Sequence, residues 1–308
     1  MWEEWGEVPA LPLARRVAWR FCFGKCSAAA AWREPVTEFP CFCFLENRMK
    51  RLQASLGLVM AVFLLGNLLV ATPVPTFASD DVPVPKISTF ASADDLAAEV
   101  KILVADLEKA VVDEEEYKSQ VEGRFIRDGN TITLIAIALG LHDQDNPIKP
   151  YTKAIAAAAQ KLAQTKDFAT TKQAIEDLKA AANGEGKGSI ELKWGKVSKL
   201  PGLMKDEVPS INNKLKNSLR RFKKRSGEVA ANAATMALIA ENANLYVADT
   251  KKPGESQKWT EFDGQMRAAA VDLAAKAHAV DEAGAKTAMD NLEKSCHDCH
   301  AVFNPEKK

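Results

Sequence analysis

From about residue 93 onward the chain carries apolar residues at helical spacing. Phe262, Met266, Ala269, Leu273, Ala277 and Val280 recur at steps of four and three. Such steps line one face of a helix and predict a buried seam between nearly parallel neighbours. Ala285, Met289, Leu292, Cys296 and Cys299 continue the rhythm on the final helix, so both of those thiols should point into the bundle. Val229, Ala233, Met236, Ala240 and Ala243 repeat it on an earlier helix. Small alanines there let helices approach closely or leave room for a flat ligand. The breakers divide the pattern into eight helices, near 93–110, 113–141, 148–165, 167–182, 201–219, 221–248, 257–279 and 282–301. Asp94 and Asp95 are candidate caps for the first. Pro147 and Pro150 mark the break before the third, the latter tolerable in a first turn.

The two sets of four helices align with each other. AIEDL at 174–178 matches AMDNL at 288–292, and the same offset pairs Ala154 with Ala268, Ala163 with Ala277, Asp167 with Asp281 and Lys172 with Lys286. Further upstream a shorter offset pairs Asn130 with Asn232, Thr133 with Thr235 and Ala138 with Ala240. The difference fits extra residues in the loop 249–256, rich in Lys, Pro and Gly. The expected fold is all-α: two tandem antiparallel four-helix bundles, over 93–183 and 200–308, joined at 184–199. The glycine-rich run 184–189 lacks the G-x-x-x-x-G-K-[ST] spacing and the preceding strand of a phosphate loop, and reads as a flexible linker. Residues 79–92, with Pro83 and Pro85, read as another.

Composition agrees with helices, since alanine is abundant while Gly (16) and Pro (14) are modest in 308 residues. Lys plus Arg equals Asp plus Glu, at 41 each, which gives no overall pull toward nucleic acid or an acidic membrane. Residues 1–48 stand apart, with four of the six Trp and with Cys22, Cys26, Cys41 and Cys43. Their C-x-x-x-C and C-x-C spacings, without a nearby His, match zinc sites poorly. The stretch is expected to be a non-native upstream extension, with translation starting at Met49. Met49-Lys50-Arg51 then forms a short positive region, 56–71 an apolar run, and Pro73 to Ala78 a break followed by small residues. That is the layout of a secretory signal peptide over 49–78, with an uncleaved anchor as the alternative. The mature chain is expected to be periplasmic or otherwise extracytoplasmic, and soluble after cleavage.

The chemistry concentrates in Cys296-His297-Asp298-Cys299-His300. C-x-x-C-H is the attachment signature of c-type haem. Two thiols three apart on a helix share a face, so both can add to the vinyl groups of one porphyrin. His300 then follows as the proximal iron ligand. Export fits, because this haem is attached outside the cytoplasm. In the first half the corresponding positions are Ala182, Glu185 and Gly186, so that half should be haem-free and the protein should carry one covalent haem c.

A C-x-x-C-H on the last helix of a four-helix bundle resembles class II c-type cytochromes, the cytochrome c′ and c556 group, over about 200–308 and weakly over 93–183. The ending Lys294-Ser-Cys-His-Asp-Cys-His-Ala-Val-Phe303 looks much like the family's own. The resemblance implies thioethers at Cys296 and Cys299, His300 on the iron, and a Met from the first helix as sixth ligand. Met204 occupies that place, with Met236 and Met266 as alternatives; all three also suit a core. A Met ligand implies electron transfer. An open or blocked sixth position implies a module that binds or senses NO or CO. The resemblance further implies packing of bundles in pairs, within one chain or between two.

Other candidates are weaker. His297 should face solvent, and His142 and His278 read as structural or solvated. Lys214, Lys216, Arg220, Arg221, Lys223, Lys224 and Arg225 read as a solvated charged face, with redox-partner docking or a haem propionate as alternatives. No nucleophile–base pair, metalloprotease motif or paired acids is visible, so the chain is not expected to be an enzyme. A thiol–disulfide protein using Cys296 and Cys299 would lack its usual strand–helix context. The expected partner is a redox protein, not nucleic acid.

Overall fold

Beyond residue 93, the stretches 129–141 and 229–240 each run for more than ten residues without a charged side chain. A helix that is apolar all round belongs in the middle of a protein. The computed structural model, which describes residues 82–186 and 188–304, places both there: every residue of 131–139 and of 229–240 is buried. Among the described residues all regular structure is helical. The helices are α1 (Ala93–Lys109), α2 (Glu114–Ser119), α3 (Arg124–Leu141), α4 (Thr152–Leu162), α5 (Phe168–Ala182), α6 (Val208–Leu219), α7 (Phe222–Ala243), α8 (Ser256–His278) and α9 (Glu282–Phe303). A turn at Leu200–Gly202 and a π-helical turn at Leu203–Glu207 lead into α6. The readings of 1–48 and 49–78 lie outside the described residues. Among those described, no helix is long and apolar enough to cross a membrane.

Packing follows the chain. α3 lies on α4, α4 on α5, α6 on α7, α7 on α8 and α8 on α9. α1 touches α3, α5 and α7, so it links the two halves. Its buried stripe is Leu96, Val100, Leu103 and Leu107. Residues expected to match by repetition take matching roles. Asp167 and Asp281 each cap a helix, accepting from the N–H of Thr170 and of Gly284. Thr133 and Thr235 each donate to the carbonyl four residues back. Ala174 and Ala288 are both fully buried.

Several local expectations change. The cap of α1 is Ser92, whose hydroxyl accepts from the Asp95 N–H; Asp94 and Asp95 sit in the first turn, where acids favour the helix dipole. The expected helix 113–141 is two, because Gly123 takes φ +79°, which a continuing helix does not allow. The helix 221–248 becomes α7 followed by a 3₁₀ turn, Asn244–Asp249. Val280 does not end a buried seam: it is exposed, at φ +54°, just past the end of α8.

Both expected linkers are fastened. Before α1, Ile87 and Phe90 are buried, the Ser88 N–H donates to Asp143 at 2.8 Å, and His142 bonds the Ala91 carbonyl at 3.1 Å. His142 Nδ1 accepts from the Gln144 N–H, so Nε2 is the donor to Ala91, a structural role. After α5, a Cβ on Gly188 would stand 2.1 Å from the Lys153 carbonyl carbon. That glycine serves close approach rather than flexibility. Further along, Asn242 donates to the Gly195 carbonyl, the Tyr246 hydroxyl donates to the Ser198 carbonyl, and Lys196 pairs with Asp249.

Candidate functional site

α9 ends in an aromatic clamp. Phe303 is buried, edge-on to Trp259 at 5.0 Å and to Phe262 at 6.4 Å. Trp259 donates its indole N–H to the Ala243 carbonyl at 2.9 Å, which ties the ends of α7, α8 and α9 together. The clamp fixes the turn of α9 that carries the motif. Cys296, Cys299 and His300 are half-buried there, while His297 faces solvent.

Beside that turn lies a cleft of about 200 Å³. α9 supplies Ser295, Cys296, Cys299 and His300 to its wall, and α8 supplies Phe262, Asp263 and Met266. The rest of the lining is Met204 with Val208, Pro209 and Asn212 of α6. Residues from both ends of the second half thus meet at one site.

The helical segment around Met204 has a cause in the sequence. Pro201 stands in the first turn, where its missing N–H costs little. Pro209 follows in the interior, where its ring crowds the carbonyl four residues back. The helix widens ahead of it into the π-turn Leu203–Glu207, one residue longer per turn. Leu203 and Glu207 point inward and are fully buried, while Met204 is half-buried against the cleft. Met266 also lines the cleft; Met236 does not, being fully buried within α7.

Burial raises the Cys296 thiol above its ordinary pKa. It pushes Cys299 up to about 12, with Asp263 and Cys296 adding to the effect. Both are therefore protonated thiols near neutral pH, and they are not joined in a disulfide. That is the reverse of the lowered thiolate pKa that thiol–disulfide enzymes use. Asp263 is 4% exposed, one carboxyl oxygen has no hydrogen-bond partner, and burial raises it to about 8. It presents an uncharged carboxyl in an otherwise apolar wall.

Asp263 escaped the sequence reading, although a signal existed. The buried seam of α8 is Trp259, Asp263, Met266, Ala270, Leu273 and Ala277, at steps of four and three. An acid at a seam position was the cue. The seam expected through Phe262 and Ala269 runs along its half-buried shoulder.

The basic residues do not form one surface at the cleft. Lys214 turns inward between Glu99 and Asp106, Arg225 pairs with Glu228, and Lys216 reaches Glu293 of α9 at 2.5 Å. Arg220, Arg221, Lys223 and Lys224 are exposed at the corner between α6 and α7. That corner is the end of α6 away from Met204, more than 15 Å along the helix at about 1.5 Å per residue. His278 is largely exposed and bonds Asp95 at 2.9 Å.

A bare metal ion has no ready site: among the described residues no group of three His, Cys, Asp or Glu side chains is arranged to hold one. A porphyrin brings four nitrogens of its own and asks the protein for one or two axial donors. The His300 imidazole and the Met204 thioether in one apolar lining suit that need, and the two neutral thiols suit attachment of the ring. Comparisons of the chain with known protein families, with curated proteins and with solved structures find no match.

Proposed function

We propose that this chain is an exported electron carrier of the class II c-type cytochrome kind, built as two tandem antiparallel four-helix bundles, with one covalent haem in the second. The observation that carries this reading is that Cys296, Cys299, His300 and Met204 line one cleft. Cys296 and Cys299 would form the two thioethers, and their shared helical face suits them to one flat ring. His300 would hold the iron from the α9 side, and Met204, in the same lining, would be the second donor. The haem, when bound, supplies reversible one-electron chemistry.

The chain's residues account for the rest. Phe262, Met266 and Val208 line the cleft with apolar surface and would shield a bound haem from water. Met204, were its thioether to hold the iron in both oxidation states, would keep reorganisation small. The first half lacks the donor residues and packs on α7 through α1. It takes the place of the second bundle that paired bundles would otherwise provide.

One observation favours a second reading, a module that binds NO or CO. The uncharged carboxyl of Asp263 could donate a hydrogen bond to a small ligand in the cleft. The absorption spectrum of chain matured with haem separates the two. The electron-carrier reading expects a six-coordinate, low-spin spectrum that carbon monoxide changes little in the reduced state, and conversion to high spin in Met204→Ala. A five-coordinate spectrum that shifts fully with carbon monoxide supports the gas-binding reading instead.

A further inference from the structure

The repeat leaves the first half without haem chemistry, yet that half reaches the turn that brings Met204 to the cleft. α3, from the first half, packs against the π-turn Leu203–Glu207. Leu203 and Glu207, the two ends of that turn, are 0% and 1% exposed. Met204 lies between them on the cleft, and Lys205 and Asp206 are exposed. The Glu207 carboxyl faces the side chains of Asn130 and Ser198, with Arg127 farther off. Both of its oxygens lack a partner at hydrogen-bonding geometry. Asn130 and Arg127 belong to α3. Ser198 belongs to the connector, which the Tyr246 hydroxyl pins at 3.0 Å.

We infer that the first half is a positioning element for the cleft: α3, through Asn130, and the pinned connector, through Ser198, seat Glu207 and so set where the π-turn presents Met204. A π-turn carries one residue more than the helix around it; Pro209 calls for the widening, and the neighbours packed on the turn fix where it points its side chains. Loss of the extra residue's register would rotate the chain before the turn by about 100° and Met204, inside the turn, by part of that, enough to shift it on the cleft. Glu207 is the anchor because it is buried, it ends the turn, and it meets residues from outside α6. It is a positioning residue, acting through Met204. The inference rests on the proposed function only for what Met204 meets.

Two readouts on the full chain test it. The first is amide hydrogen exchange at 203–208, which needs no haem. Glu207→Ala and Asn130→Ala should speed exchange there by at least about tenfold, with α9 unchanged, whereas the exposed-site control Lys205→Ala should not. Glu207→Gln, which keeps the shape, should restore most of the protection. The second is the spectrum of chain matured with haem. Asn130→Ala, which lies outside the cleft, should shift a fraction of the protein from low to high spin without lowering the covalent haem yield. Normal haem yield with wild-type exchange and spectrum in both variants would overturn the inference. If no variant or wild-type chain takes up haem, the proposed function fails, and exchange alone decides whether the turn is held as described. If Glu207→Ala does not fold, Asn130→Ala and Glu207→Gln carry the test.

Discussion

At the scale of single residues, this protein buries acids with carboxyl oxygens that lack hydrogen-bond partners. Glu99 of α1 is fully buried, and neither carboxyl oxygen has a hydrogen-bond partner. Lys214 stands 4.0 Å away and favours the charged form, but burial outweighs it and raises Glu99 to about 8. The carboxylates of Asp106, Asp128 and Glu228 push in the same direction as burial. The unfolded chain releases this proton near pH 4.5, whereas the folded chain keeps it to about pH 8. Folding therefore binds a proton between those values, and stability falls as pH rises through them, by up to about 1.4 kcal/mol per pH unit. Asp263 and Glu207 are raised as well, to about 8 and about 7, and add the same sign. Glu99→Gln should melt higher than the parent at pH 8 and match it at pH 4. Thermal melts across pH check this, and equal melting temperatures at pH 8 would contradict it.

At the scale of elements, the ends of helices were harder to read than their existence. The eight expected helices are recognisable, because Leu96 to Leu107 or Ala285 to Cys299 keep one period over several turns. The break at Gly123 and the π-turn before Pro209 were not legible. Gly123 permits a left-handed turn without requiring one, and Pro209 calls for some distortion of the helix before it without saying that a π-turn is the one adopted. Val280 shows the same limit. It reads as an apolar residue in step with the seam, yet it takes the left-handed position that glycine usually fills. The Asp281 N–H reaches back to the Lys276 carbonyl, closing α8 as Glu185 and Ala180 close α5 around Gly184. A β-branched residue there is strained. Val280→Gly should raise stability by about 1 kcal/mol despite removing an apolar side chain, because that side chain is exposed. Chemical denaturation measures this, and a loss of stability would show that the turn is not strained.

For the molecule as a whole, the motif was legible and the surroundings of its cleft were not. The motif residues announce themselves in sequence, and the family resemblance singled out Met204 on the helix where a sixth ligand was expected. That Asp263 stands in the same lining, and that α3 supports the π-turn, depends on contacts between distant segments. The described residues belong to one compact unit, with α1 of the first half laid on α7 of the second. Removing the first half strips cover from Leu203, Glu207 and the all-round buried α7. Residues 188–308 expressed alone should aggregate or self-associate instead of giving a stable monomer, as light scattering and sedimentation would report. A monomer that melts like the full chain would contradict this. Covalent haem at α9 is what the proposed function requires first. The most direct measurement is intact mass together with a pyridine haemochrome assay, on chain produced alongside a c-type cytochrome maturation system. We expect one haem per chain, with two thioethers on the peptide that contains Cys296 and Cys299, and a single one in Cys299→Ala. A colourless protein whose mass shows both thiols unmodified would contradict it.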